Sequence, residues 1–217
     1  MNQLTFQFPF KTTYFQKDFY VSSNNFEAYK LIDSWPNWPD KWINLYGPNG
    51  CGKTHLANIF SKKINSIFID SKNFNEKTLI KIDTVNCFIL DNYKNDINEK
   101  LMYSTLNLIK QTNKFLIINT LVPISTIKVN LKDLRSRFSS FLKLGINLPT
   151  DDLLRVIITK AFSDKQIEIN VRVLEYILKN IDRSYENVFK FIKDIDKESL
   201  STGKSININL VKKVINK

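Results

Sequence analysis

Three of the five glycines in this chain fall within eight residues, GPNGCGKT, from Gly47 to Thr54. The spacing fits G-x-x-x-x-G-K-[ST], the phosphate-binding loop. Glycines permit a tight backbone path that turns successive N–H groups toward a phosphate, and the helix that follows adds its N-terminal dipole. On this pattern Gly47, Pro48, Asn49, Gly50, Cys51 and Gly52 line the loop, Lys53 reaches the β- and γ-phosphates of ADP or ATP, and Thr54 offers its hydroxyl to Mg²⁺. The flanks agree. KWINLY before the loop is a compact apolar strand, and THLANIFSKKI after it carries Leu56, Ile59, Phe60 and Ile64 on one helical face. His55, the single histidine, is read as a packing or polar helix residue rather than a catalyst.

A phosphate site with a metal needs an acid. The run NCFILDN supplies one, with a buried-looking strand from Cys87 to Leu90 ending in Asp91, placed to orient Mg²⁺ or its waters. The next position often holds a carboxylate that activates the attacking water; here it is Asn92, which cannot take a proton at neutral pH, so slow intrinsic hydrolysis is expected. Further strands are read at 66–70, 114–120 and 141–146, and a helix at 97–111 with Leu101, Leu106 and Ile109 at near-helical spacing. Strands alternating with helices imply an α/β fold, a parallel five-stranded sheet with helices on both faces. An extra strand between the phosphate-loop strand and the Asp91 strand is the order of the additional-strand P-loop NTPases, which include the AAA+ proteins.

Past NLPTDD the strand pattern stops. Thr150 can cap a helix whose first turn carries Asp151 and Asp152, and 152–163, 171–180, 184–197 and 207–216 read as helices. The expected organisation is a peptide and linker over 1–18, a nucleotide-binding α/β domain over 19–148, and a small α-helical lid over 149–217, hinged at Pro149.

Bulk properties exclude some classes. No apolar run reaches the roughly 20 residues that span a bilayer, no signal peptide is evident, and two cysteines make no disulfide framework; a cytoplasmic protein without membrane contact is expected. The net charge of +11 suits nucleic acid, but lysine is spread along the chain, and pairs such as Lys62–Lys63 read as solvated helix faces. Arginine is more selective: Arg135, Arg137, Arg155, Arg172 and Arg183 are the only five. A chain that draws its charge from lysine uses arginine where a planar, bidentate group is needed. An ion pair with Asp133, four residues away, is the plainer role for Arg137.

From about Phe19 onward the chain resembles the AAA+ domain of DnaA-type bacterial replication initiators, in FYVSSNNFEA, LYGPNGCGKTHLA, FILDN and DLRSRF. GKTHLA and LRSRF are the specific stretches. The resemblance implies that Arg137 is an arginine finger with Arg135 beside it, that Asn119 and Thr120 are sensor-one polar residues, and that Asn25 belongs to the adenine-side motif. A sensor-two arginine is expected early in a lid helix, where Glu186 stands instead; Arg183 is the nearest substitute. Both this and Asn92 point to a nucleotide held as a structural or switching ligand.

Initiators carry an N-terminal interaction domain and a DNA-reading domain after the lid, and on those grounds the short chain looks like the Hda-type regulators. These begin with a sliding-clamp-binding peptide, Gln-Leu-x-Leu-x-Leu, against which Gln3, Leu4, Phe6 and Phe8 align. An extended strand puts Leu4, Phe6 and Phe8 on one face, able to fill an apolar groove while Gln3 bonds at its edge; the alternative is that these rings pack on the body of the protein. The likeness implies two partners, the DNA polymerase sliding clamp (β subunit) and a DnaA-type initiator, with indirect association with DNA and a possible homo-oligomer. The competing class is a DNA-dependent ATPase, such as a helicase loader or a truncated initiator, distinguished by its turnover.

Overall fold

A computed structural model describes residues 14–203 and 205–216. The peptide formed by Gln3, Leu4, Phe6 and Phe8 lies outside them. The chain divides into two compact units, one spanning Tyr14–Asn147 and the other taking in Leu148–Lys217.

The first unit is built on five strands: β1 (Trp42–Tyr46), β2 (Ser66–Asp70), β3 (Cys87–Tyr93), β4 (Phe115–Thr120) and β5 (Leu142–Gly145). They form one sheet in the order β2-β3-β4-β1-β5, and every pairing is parallel. The strand inserted between the phosphate-loop strand β1 and the Asp91 strand β3 is thus β4. The strand at 66–70, which follows the loop in sequence, lies at the sheet edge. Helices α1 (Phe26–Asp33), α2 (Lys53–Ser61), α3 (Glu76–Ile82), α4 (Glu99–Gln111) and α5 (Lys132–Ser139) cover the sheet. Strands covered on both faces read as continuous apolar runs, and Ile43, Leu45, Cys87, Phe88, Ile89, Leu90, Leu116, Ile117 and Ile118 are all buried. Trp42, Phe88, Leu90, Leu116 and Ile118 pack with Ile82, Met102, Leu106, Ile109, Leu134 and Phe138 of α3, α4 and α5. Helices α1 and α2 pack on each other, and α2 also meets β2, β3 and β4.

One polar side chain interrupts that interior. Asn44, in the middle of β1 and fully buried, donates to Ile118 O (2.9 Å) and Thr120 Oγ1 (2.8 Å) and accepts from the Ile124 N–H (2.9 Å). It therefore ties β1 to the chain leaving β4.

β3 runs two residues further than Asp91, through a register shift against β4: Leu90 pairs with Ile118 but Tyr93 with Thr120. The extra residue of this bulge is absorbed at Asn92, whose φ is 59°. Asparagine is one of the few residues that enter this region readily. Bulges re-aim side chains, and this one lies beside Asp91.

The second unit is helical: α6 (Asp151–Ser163), α7 (Val171–Asn180), α8 (Tyr185–Thr202) and α9 (Ile208–Ile215). Their apolar faces enclose Leu154, Ile158, Phe162, Ile177, Val188, Ile195 and Val211. Each helix starts at a side-chain cap, Thr150, Asn170, Ser184 and Asn207 respectively, the residue types that satisfy the free N–H groups of a first turn. α8 continues past the expected end at 197 because nothing in KESLST breaks it before Gly203, whose φ of 63° closes it.

Asn44→Ala removes the side chain that satisfies the Ile124 N–H and braces Thr120. It is expected to destabilise the protein by about 2–4 kcal/mol, read as a lower urea midpoint at unchanged slope.

Candidate functional site

The turn from β1 into α2 is held open by close backbone approach. Gly47 and Gly52 have φ values of 152° and 102°. A methyl group on Gly47 would stand 2.4 Å from the Ile146 carbonyl oxygen, and one on Gly52 would stand 2.9 Å from the Phe19 ring. The loop is anchored by Gly47 N–H to Thr120 O (3.3 Å), and the neighbouring chain by Ile146 N–H to Tyr46 O (2.8 Å). Lys53, largely buried, folds back over the loop and donates to Gly47 O (2.8 Å) and Pro48 O (2.9 Å). Cys51 is buried beneath it, and burial pushes the thiol up from its ordinary value against the opposing pull of the Lys53 ammonium. At neutral pH it is therefore a thiol, not a reactive thiolate.

Three of the residues singled out in the sequence converge. Asp91 accepts from Thr54 Oγ1 at 2.9 Å through Oδ2, and from Asn119 Nδ2 at 2.8 Å through Oδ1. The Asn92 N–H adds a third bond to Oδ1 at 3.1 Å. Asp91 and Asn119 are buried, and Asn119 Oδ1 has no hydrogen-bond partner. A buried acceptor left open in this way is where a water or ligand group belongs. Magnesium is held by one or two carboxylates together with waters and phosphate oxygens, and the Asp91 carboxylate with the Thr54 hydroxyl forms an all-oxygen set of that kind. The glycine cradle, the lysine and this pair fit the phosphates of a metal-bound nucleotide.

Thr120 is not brought to this cluster. Its hydroxyl accepts from Asn44 and donates to Val122 O (2.6 Å), so it serves the exit of β4. Asn25 is buried, and its amide is spent on its own loop, donating to Tyr20 O (2.9 Å) and accepting from the Ser22 N–H (2.9 Å). It shapes the backbone ahead of α1. In the same segment Phe19 stacks on Tyr29 and meets His55 edge-on, and Tyr14 meets His55 edge-on as well. His55 Nε2 lies 2.8 Å from Phe15 O. The histidine thus holds residues 14–19 against α2.

Arg137, half-buried on α5, donates to Asn107 Oδ1 on α4 (2.9 Å) and not to Asp133. Arg135 donates to Val129 O (2.8 Å). Arg137 lines an open cleft of about 530 Å³ with Asp40, Lys41, Lys110 and Lys114. In the helical unit Arg183 pairs with Asp151 at 3.2 Å, both side chains being exposed.

The sequence reading missed Asp70. It ends β2 directly opposite Asp91, its Oδ2 accepts from Asn92 Nδ2 (2.7 Å) and its Oδ1 from the Lys72 N–H (3.0 Å). The Asn92 amide is the main cause that holds the Asp70 carboxyl below its usual value. An acid at the end of the strand flanking β3 was the available signal, visible only with the sheet order in hand.

Residues 151–215 match the model of the Hda lid domain. The chain is therefore similar to Hda in its lid, and to DnaA-type AAA+ proteins over most of its length. The Buchnera aphidicola (subsp. Cinara cedri) chromosomal replication initiator protein DnaA is 27% identical over 88% of the chain, which spans 49% of that relative. The chain thus covers about half the length of the DnaA proteins it matches. Domain III of Thermotoga maritima DnaA superposes with a TM-score of 0.78 over 96% of this chain and 98% of that one, at 18% identity. AMPPCP-bound DnaA from Aquifex aeolicus gives 0.68 over 86% of this chain and 66% of that one, at 20% identity. The fold is thus an AAA+ α/β unit with a helical lid. Among the described residues no helix is long and apolar enough to cross a membrane.

Gly52→Ala strains the φ > 0 backbone and collides with Phe19, with an expected loss of about 1–3 kcal/mol. In a double-mutant cycle on denaturation midpoints, Gly52→Ala combined with Phe19→Ala should cost less than the sum of the two by about 1 kcal/mol.

Proposed function

We propose that this protein is a nucleotide-binding regulator of chromosomal replication initiation that acts on partners rather than on DNA sequence. Gln3, Leu4, Phe6 and Phe8 dock on the sliding clamp, and Arg137 reaches in trans to the ATP of a DnaA-type initiator, promoting its hydrolysis and preventing re-initiation. The observation that carries the reading is an Hda-type lid following an AAA+ unit in which Thr54, Asp91 and Asn119 converge.

ADP or ATP with Mg²⁺ is the ligand of this chain's own site. Support comes from the phosphate-loop geometry and from the AMPPCP carried by a DnaA of the same fold. Lys53 turns from the loop carbonyls to the phosphates, Thr54 and Asp91 hold the metal, and Asn119 fixes the Asp91 carboxylate. Asn92 offers no basic atom to an attacking water, which favours a retained nucleotide over rapid turnover. The same feature argues against a DNA-stimulated ATPase.

For the partner's ATP, Arg137 has the right chemistry. One of its five N–H donors is engaged by Asn107, and no carboxylate neutralises it among the described contacts. A guanidinium delivered across an interface stabilises charge developing on the γ-phosphoryl oxygens.

Arg137→Ala is expected to retain nucleotide and clamp binding while lowering stimulation of initiator ATP hydrolysis by about a thousandfold, the scale of a lost arginine finger. Retained stimulation would move the finger elsewhere. Leu4→Ala/Phe6→Ala is expected to weaken clamp binding by at least about tenfold, in line with the loss of two buried anchors. Unchanged clamp binding overturns the peptide's role, and brisk DNA-stimulated turnover by the isolated chain overturns the regulatory reading.

A further inference from the structure

Asn92 occupies the position from which a side chain beside Asp91 would take the proton of an attacking water. It is held there by three bonds. Its N–H goes to Asp91 Oδ1 and its carbonyl accepts from Ser71 Oγ at 3.0 Å. Its amide donates to Asp70 Oδ2 at 2.7 Å, while Asp70 Oδ1 is occupied by the Lys72 N–H. The left-handed backbone at the β3 bulge fixes where this amide starts, and the register of Asp70 with Asp91 fixes where the carboxylate stands. A carboxylate is therefore present near Asp91, but one strand away, with both oxygens already accepting.

We propose that Asp70 and Asn92 form a carboxylate–amide pair arranged to leave a bound nucleoside triphosphate intact, Asp70 being the positioning residue that keeps the Asn92 amide turned toward β2. This rests on the reading of the Thr54–Asp91–Asn119 cluster as a nucleotide site. Asn92 has no lone pair basic enough to accept a proton at neutral pH, and its amide is committed to Asp70. Asp70 is a weakened base, since the hydrogen bonds it accepts favour its ionised form. The pair has the components of a hydrolytic site in exchanged positions.

Exchanging them is the test. Asp70→Asn/Asn92→Asp puts the acid next to Asp91 and leaves an amide on β2 to donate to it. In the enabled step the water oxygen attacks the γ-phosphorus and forms a new P–O bond. The bond from that phosphorus to the β,γ-bridging oxygen breaks, its electron pair leaving with ADP. The water proton passes to the carboxylate introduced at position 92 and from there to solvent. Asn92→Asp alone sets two carboxylates in contact at a place built for one, so that one binds a proton or swings away.

The full chain is mixed with Mg²⁺ and ATP, phosphate release is followed in single turnover, and affinity is titrated separately with a non-hydrolysable analogue. The double variant is expected to hydrolyse ATP about a hundredfold faster than wild type, the lower end of what a positioned general base supplies. It should also exceed Asn92→Asp by at least about tenfold on the same scale, with analogue affinity within about twofold of wild type as the sign that the site is intact. Asn92→Asp matching the double variant overturns the role of Asp70. A double variant that binds the analogue but gains no rate overturns the pair alone. Wild type that does not bind the analogue at all overturns the nucleotide reading together with this one.

Discussion

The Asp91 carboxylate is the point on which the first unit converges. It accepts from the first turn of α2 through Thr54, from the end of β4 through Asn119, and from its own strand through the Asn92 N–H. Two of those donors, Thr54 and Asn119, lie far from Asp91 in the sequence, so their bonds exist only once the sheet has formed with β4 between β1 and β3. A buried carboxylate is costly unless it is hydrogen-bonded, and here the sheet order itself supplies the donors. The phosphate loop, the β3 bulge and the end of β4 are thereby mutually dependent, and displacing any one of them exposes an unsatisfied charge to the other two.

How much of this was legible in the chain depends on how local the cause is. GPNGCGKT declares its turn because glycine is required where the backbone closes on another backbone, as Gly47 does on Ile146, or takes a positive φ beneath a side chain, as Gly52 does under the Phe19 ring. The five strands and four lid helices follow from apolar periodicity and cap residues, both short-range properties. Helices α1, α3 and α5 escaped: each has eight residues or fewer, and only the equally short α9 shows itself, through its Asn207 cap and the apolar Leu210, Val211, Val214 and Ile215. Asp70 escaped for a different reason. It becomes a neighbour of Asn92 only through the β2–β3 register, and no spacing within a single element encodes a register between two.

Polar residues near the site divide into those that face a ligand position and those that hold the scaffold. Asn119 and Thr120 are adjacent in sequence and equally suited to chemistry, yet strand alternation sends them to opposite sides. One meets Asp91; the other is consumed by Asn44 and Val122 O. Asn25 makes the same point on the entry loop, where among the described residues its amide bonds to its own turn. Residue type selects candidates, but the side of the sheet decides between them.

The lysines, read from the sequence as a general surplus of charge, have particular structural work in the first unit. Lys114 donates to Ile82 O and Asp83 O at the C-terminus of α3, both at 2.7 Å. Lys41 reaches Asn113 O and its side-chain oxygen just past α4. Lys63 lies 3.1 Å from the Asp33 carboxylate, with the Ile32 and Asp33 carbonyls at 3.4 and 3.5 Å, at the end of α1. In each case an ammonium meets the negative end of a helix dipole and carbonyls that have no intrahelical partner. Closing three helices this way uses flexible point charges, a task for which the planar guanidinium has no advantage. A net charge of +11 is therefore partly the sum of local helix-end requirements, and these lysines contribute to it without any nucleic acid being called for. The arginines stand apart from that pattern. Arg137 is held by a neutral amide on α4 rather than by a helix end, a bond that orients its planar guanidinium.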